Sequence, residues 1–235
     1  AHEINTPIGI SVTAASYLQE QSKQLKKSIE SGKLSRKFMD ELIGNLNQST
    51  ELLLNNLRRA SDLISSFKQV AVEQSSEACY TFNLNENVNQ VITSLGHKIR
   101  RSGCEIVVDC PSDLELYSFP GSFTQIYSNL ILNSVKHGFE DWDGEKRINI
   151  SIQKENDQLH IDYHDSGRGV DSDIAQRIFD PFVTSKRGQG GSGLGTHIVY
   201  NLVVQLLKGH IAFDSQSGEG VHFSIRIPYQ AQKAD

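Results

Sequence analysis

The hydrophobic period changes once along this 235-residue chain, and that change divides it. From residue 2 to 72, apolar side chains recur at steps of three and four, the spacing of one helix face. Ile4, Ile8, Val12, Ala15, Leu18, Leu25 and Ile29 mark a first helix. Phe38, Leu42, Leu46, Leu53, Leu57, Ala60, Leu63, Ile64 and Phe67 mark a second, after a turn at Ser31, Gly32 and Lys33. The pattern is close to a heptad seam. Two helices alone bury little, and no aromatic-rich second layer covers them. The hairpin is therefore expected to pair with a copy of itself as a four-helix bundle; packing onto the rest of its own chain is the alternative.

Residues 73–78, V-E-Q-S-S-E, read as a polar connector. Beyond it come strand-like runs at 79–84, 105–110, 147–154, 159–164, 209–214 and 221–227, with helical patterns near 86–102, 121–138 and 193–208. Such a mixture predicts a sheet with helices on one face, an α/β sandwich. The expected fold class is thus α+β, with a helical domain over 1–72 and a sandwich domain over 79–228.

Composition narrows the function. Apolar content of 37% with 22% charged residues fits a core-forming chain rather than a disordered one. A net charge of −5 without a basic run speaks against nucleic-acid binding, which needs clustered Lys and Arg. Cys79, Cys104 and Cys110 are too few for a disulfide framework, and no C-x-x-C suggests zinc. No apolar run reaches the roughly 18 residues of a membrane span. The missing initiator Met suggests a fragment, with room for a membrane anchor or sensor in an N-terminal part.

Four stretches carry possible chemistry. The chain opens A-H-E-I-N-T-P-I-G, where His2 stands beside Glu3 and Pro7 follows inside helical pattern. That proline removes a backbone N–H and crowds the carbonyl of Glu3, a cost a purely structural helix would avoid. In N-L-I-L-N-S-V-K-H-G, Asn129, Asn133, Lys136 and His137 fall on one helix face. Amide oxygens can ligate Mg²⁺ and Lys136 can reach a phosphate; a solvated face is the alternative. D-S-G-R-G follows a strand, so Asp165 can accept hydrogen bonds while Gly167 and Gly169 leave room for a flat ring. A plain Gly-bearing turn would look similar. G-Q-G-G-S-G-L-G-T opens a helix, and its exposed N–H groups suit a phosphate, a flexible surface loop being the other reading. Gly188, Gly190 and Gly193 spell G-x-G-x-x-G, but no strand precedes them, so a dinucleotide fold is rejected; no Walker A loop is present.

The order of these motifs is more specific than any one of them. An Asn-bearing helix, then D-x-G-x-G, then F-D-P-F, then G-x-G-L-G resembles the Bergerat-type ATP-binding domain of histidine kinases, Hsp90-type chaperones, type II topoisomerases and MutL-type repair proteins. With H-E-I-N-T-P ahead of a helical hairpin, residues 1–228 resemble the catalytic core of a sensor histidine kinase. The resemblance implies that His2 is the phosphoacceptor, Glu3 orients or deprotonates it, and Thr6 places water for dephosphorylating the partner. It makes Asn133 the Mg²⁺ ligand, Asn129 its neighbour one turn earlier, and Lys136 a phosphate contact. Asp165 becomes the adenine-reading carboxylate, with Gly167 and Gly169 beside it. Phe179 and Phe182 edge a lid at 183–192, and Gly191, Gly193, Leu194, Gly195 and Thr196 lie under the phosphates.

His137 stands where the family usually has Tyr or Phe, Thr196 where Leu or a small residue is commoner, and S-F-P-G at 118–121 replaces an acidic helix start. The implied activity is ATP- and Mg²⁺-dependent phosphorylation of His2, then transfer to an Asp of a response-regulator receiver domain, from a homodimer held by the hairpin. Partner specificity is expected on Thr13, Ala14, Tyr17 and Gln21. The catalytic portion is expected in the cytoplasm, with inner-membrane anchoring of the whole protein left open. An ATPase clamp of the same superfamily and a degenerate, scaffold-only kinase are the rival readings.

Overall fold

The computed structural model describes residues 2–32, 34–72, 78–184 and 193–231, with the side chains at 2, 3, 62, 63 and 65–72 outside that description. The chain divides into two units, Ala1–Ala71 and Val72–Asp235.

The first unit is a hairpin of α1 (His2–Glu30) and α2 (Arg36–Val72). Ser35 caps α2, its Oγ accepting the Phe38 N–H at 3.1 Å. Helix α1 runs unbroken across Pro7, whose carbonyl also accepts the Ser11 hydroxyl at 2.8 Å. Its buried stripe is Pro7, Ser11, Ala14 and Gln21, and that of α2 includes Leu42 and Ala60. The steps of four, three and seven are heptad steps. The seam is therefore the expected one only in part: Ile4, Leu18, Leu25, Phe38, Leu42, Leu46, Leu53 and Ala60 are buried or half-buried. Ile8, Val12 and Ile29 are 41%, 60% and 58% exposed. In α1, small and polar side chains share the inner stripe with Leu18 and Leu25, and Ile8, Val12 and Ile29 each sit one residue beyond a stripe position. Ala14 and Gln21, expected on the surface, are buried; Thr13 and Tyr17 are exposed.

The second unit places β1 (Tyr80–Asn83), α3 (Leu84–Ser94), α4 (Gly96–Ser102), β2 (Glu105–Asp109), β3 (Glu115–Ser118) and α5 (Pro120–Asn133) before β4 (Arg147–Glu155) and β5 (Gln158–Asp165). A short α6 (Ser172–Ala175), then α7 (Gly195–Asn201), β6 (His210–Gln216) and β7 (Gly220–Pro228) complete it. Five strands form one sheet in the order β2-β4-β5-β7-β6, antiparallel except for the β2–β4 pair. One face is dry: Ile148, Ile150 and Ile152 of β4 and Leu159, Ile161 and Tyr163 of β5 are at most 1% exposed. Against that face the helices contribute Val88, Phe123, Ile126, Tyr127, Leu130 and Val199, all fully buried. Each such side chain contributes roughly 1.5–3 kcal/mol of burial. The opposite face is solvated, and His160 and His164 fall on it; His164 is exposed and His160 stands 3.7 Å from Glu155. Among the described residues no His, Cys, Asp and Glu cluster could hold a metal ion.

The elements depart from the sequence expectation in three places. The helix expected over 86–102 is two, because Leu95 leaves helical geometry ahead of Gly96. Strand β3 was not visible in the sequence: it has four residues and pairs only with β1, in a separate two-stranded sheet. Helices α5 and α7 run on into π turns, at Ser134–Gly138 and Leu202–Leu206. A π turn is a frequent mark of functional sites.

Candidate functional site

Asp165 closes β5 and is 1% exposed, although it is a carboxylate. Its Oδ1 accepts the Gly167 N–H at 3.0 Å and the Val221 N–H at 3.2 Å. Its Oδ2 accepts the Ser134 hydroxyl, and Ser134 Oγ lies 2.7 Å from the Tyr163 hydroxyl. Burial pushes the Asp165 carboxyl above its ordinary value, while the bonds from Ser134, Gly167 and Val221 and the charge of His164 pull it back. Sequence reasoning missed Ser134 and Tyr163. The signal was a hydroxyl pair among apolar neighbours, which becomes meaningful only when β5 meets the π turn after α5.

Asn129 and Asn133 lie one turn apart on α5, both half-buried. Asn129 Nδ2 donates to the Gln125 carbonyl at 3.0 Å, and its oxygen faces the start of α7. A Cβ placed on Gly195 would lie 3.3 Å from Asn129 Oδ1 and from both polar atoms of Asn133. The start of α7 therefore rests directly on the Asn pair. Lys136 is exposed and His137 half-buried in the π turn, so they do not continue the α-helical face of the two asparagines.

Thr196 and His197 tie α7 to the chain before it. Thr196 Oγ1 donates to the Ile178 carbonyl at 2.5 Å, and His197 Nδ1 donates to that of Phe179 at 2.8 Å. The hydroxyl that departs from the family pattern is thus a tether. The Phe179 ring packs on Tyr200, Phe213 and Phe223, with centroids 5.3, 6.4 and 6.3 Å away. The Phe182 N–H donates to the Gly193 carbonyl at 2.8 Å, joining the two ends of the 183–192 stretch. Gly191 and most of that stretch lie outside the described residues. Leu194 is buried.

The room at Gly169 is taken by protein and not left for a ring. Its φ is +71° and an added Cβ would fall 2.1 Å from the Gln216 carbonyl oxygen. Gly169→Ala is expected to lower the melting temperature by several degrees, since left-handed strain of about 1–2 kcal/mol adds to a backbone clash; an unchanged melt in calorimetry would contradict this packing.

In the first unit, a cleft of about 590 Å³ between the helices is lined by Thr6, Ile10, Thr13, Tyr17, Ser49 and Leu52 among others. His2 and Glu3 lie in the first turn of α1.

Residues 120–231 match the family described as histidine kinase-, DNA gyrase B- and HSP90-like ATPase. Over 99% of the chain, 30% of residues are identical to the sensor histidine kinase RcsC of Escherichia coli K12, of which the match covers 23%. Residues 120–231 thus belong to that ATPase family, and the chain as a whole is similar to sensor histidine kinases. The kinase/phosphatase LuxQ of Vibrio parahaemolyticus is 28% identical over 97% of this chain and 25% of its own length. The present chain thus spans about a quarter of the curated kinases it matches. Its fold is that of the histidine kinase ThkA, solved in complex with the response regulator TrrA: TM-score 0.64 at 21% identity, over all of this chain and 61% of that one. No helix among the described residues is long and apolar enough to cross a membrane.

Proposed function

We propose that this chain is the catalytic core of an ATP-dependent protein-histidine kinase, with His2 as phosphoacceptor. The observation that carries the reading is the juxtaposition, in one unit, of a buried carboxylate, a pair of half-buried amides and a glycine helix start resting on them. Asp165 has about one acceptor site left for a donor on a base, since a carboxylate offers about four and three are used. Asn133 has no hydrogen-bond tether among the described residues, and an amide oxygen beside Asn129 fits a hard, oxygen-seeking cation. Magnesium bound there with the triphosphate would neutralise charge on the transferring group. Lys136 would add a second positive charge at the phosphates, and Gly193, Leu194, Gly195 and Thr196 backbone on which they rest.

The chemistry asked of the first unit is small. A neutral nitrogen of His2 attacks the γ-phosphorus, the bond to the leaving oxygen of ADP breaks, and the ring proton passes to Glu3 or solvent. The phosphoryl group would then go to an Asp of a receiver domain. The complex of ThkA with TrrA supports such a partner, and the name of LuxQ supports a phosphatase reaction, hydrolysis of the phospho-Asp, for which Thr6, a lining residue of the cleft, would position water. Incubation with γ-labelled ATP tests the reading. Acid-labile, base-stable label that EDTA prevents is the expected result; ATP hydrolysis without label would instead favour the ATPase clamp.

The hairpin would act as a homodimer. Ile8, Val12, Ile43, Leu54 and Leu57 are 41–60% exposed, and each follows a heptad stripe position by one residue. In an antiparallel hairpin that offset puts them all on one side, an apolar face long enough to pair with its copy. Val12→Glu with Leu57→Glu is expected to turn a dimer into a monomer in sedimentation velocity, with nucleotide affinity kept. A wild-type monomer at tens of micromolar would reject the dimer.

A further inference from the structure

We infer that the buried relay Tyr163–Ser134–Asp165 positions the base-reading carboxylate so that it favours a purine with an amino group at C6, adenine, over one with a carbonyl there, guanine. The inference rests on the ATP reading above and goes beyond it by assigning two hydroxyls that no nucleotide would touch.

The polarity of the relay follows from counting hydrogens. Tyr163 and Ser134 are buried, 0% and 3% exposed. Ser134 Oγ has one hydrogen and two neighbours, Asp165 Oδ2 and Tyr163 OH. An ionised carboxylate can only accept, so Ser134 donates to Asp165 and the Tyr163 hydroxyl donates to Ser134. Every hydrogen then points toward Asp165. Oδ1 is filled by Gly167 and Val221, and one lone pair of Oδ2 remains. That lone pair suits an exocyclic amine and repels the carbonyl oxygen that guanine carries at the same ring position.

The relay also resists the alternative. Were Asp165 protonated and donating to Ser134, Ser134 would donate to Tyr163, whose hydrogen would lose its acceptor in a buried site. An orphaned buried donor is costly. The relay thus works against burial, which favours the neutral acid. The other titratable groups that act on Asp165 are few: His164 next to it on β5, and the Cys104 thiol ahead of β2, itself pushed up to about 12 by burial. The Tyr163 phenol is held well above its ordinary value by burial and by Asp165, so it stays a donor throughout.

The test has a ligand-free arm and a ligand arm, both on the full chain. In ¹³C NMR without nucleotide, the Asp165 carboxyl signal, assigned through its loss in Asp165→Asn, is titrated in wild type, Ser134→Ala and Tyr163→Phe. Ser134→Ala is expected to raise its midpoint by about one to two units and Tyr163→Phe by less, from the loss of a bond to a charged acceptor. A Ser134→Ala midpoint within about 0.3 unit of wild type overturns the relay. In calorimetry at pH 7, Ser134→Ala is expected to weaken ADP about tenfold and narrow the ADP-to-GDP preference, while Ser134→Thr, which keeps a hydroxyl, restores both. An unchanged preference overturns the selection even if the midpoint moves. If wild type binds neither nucleotide, the ATP reading falls and base selection with it, while the midpoint still decides the relay.

Discussion

His2→Gln is expected to abolish incorporation of the γ-phosphoryl group and to leave nucleotide affinity within about twofold of wild type. Glutamine keeps the volume and polarity of the ring but has no basic nitrogen, so no nucleophile remains at residue 2. The loss should be complete to the limit of detection, because removing a nucleophile is not compensated by positioning. The chain holds seven other histidines, and these make the experiment informative. His160 and His164 lie on the solvated sheet face, and His197 is held by Phe179 and Asn201. If His2→Gln still took up acid-labile label, one of those rings would be the acceptor and the assignment of His2 would be wrong. ADP binding by calorimetry is the companion measurement, since a variant that lost both label and affinity would have misfolded.

The second large effect is a separation of binding from stability at Asp165. Asp165→Asn is expected to weaken ATP at least tenfold and to change stability at neutral pH by no more than about 1 kcal/mol. The amide oxygen can still accept from Gly167 and Val221, but the nitrogen would sit where Oδ2 accepts and would present N–H to an adenine amine. Two terms in the stability offset. The substitution removes a buried charge, a gain. It also reverses the Ser134 bond and leaves the Tyr163 hydrogen without its acceptor, a cost.

The pH dependence has a definite sign. The native carboxyl of Asp165 is raised above its ordinary 3.8, so between 3.8 and that raised value the folded state binds more protons than the unfolded one. Its contribution to stability is whole below 3.8 and is lost as pH rises through the native value. Asn does not titrate, so the melting temperature of Asp165→Asn relative to wild type should climb across that interval. A difference that stayed flat or fell with pH would show that the native value is not raised.

Motif order and hydrophobic period determined much of this protein from residues alone. Period determined the helical hairpin ahead of the mixed sheet, since a helix face repeats every three or four residues wherever it packs. Chemistry suggested the roles proposed for His2, Asn133 and Asp165, because few residue types can attack phosphorus, ligate magnesium or read an amine. Only the tertiary structure decided which stripe of the hairpin is buried: Ser11, Ala14 and Gln21 go inside while Val12 stays out, a choice made by close approach of two helices rather than by hydrophobicity. It alone decided that Gly169 makes way for the Gln216 carbonyl, and that Thr196 reaches Ile178. The same holds for the bond between Ser134 and Asp165, 31 residues apart, since periodicity is local and a hydrogen bond between a helix end and a strand end is not.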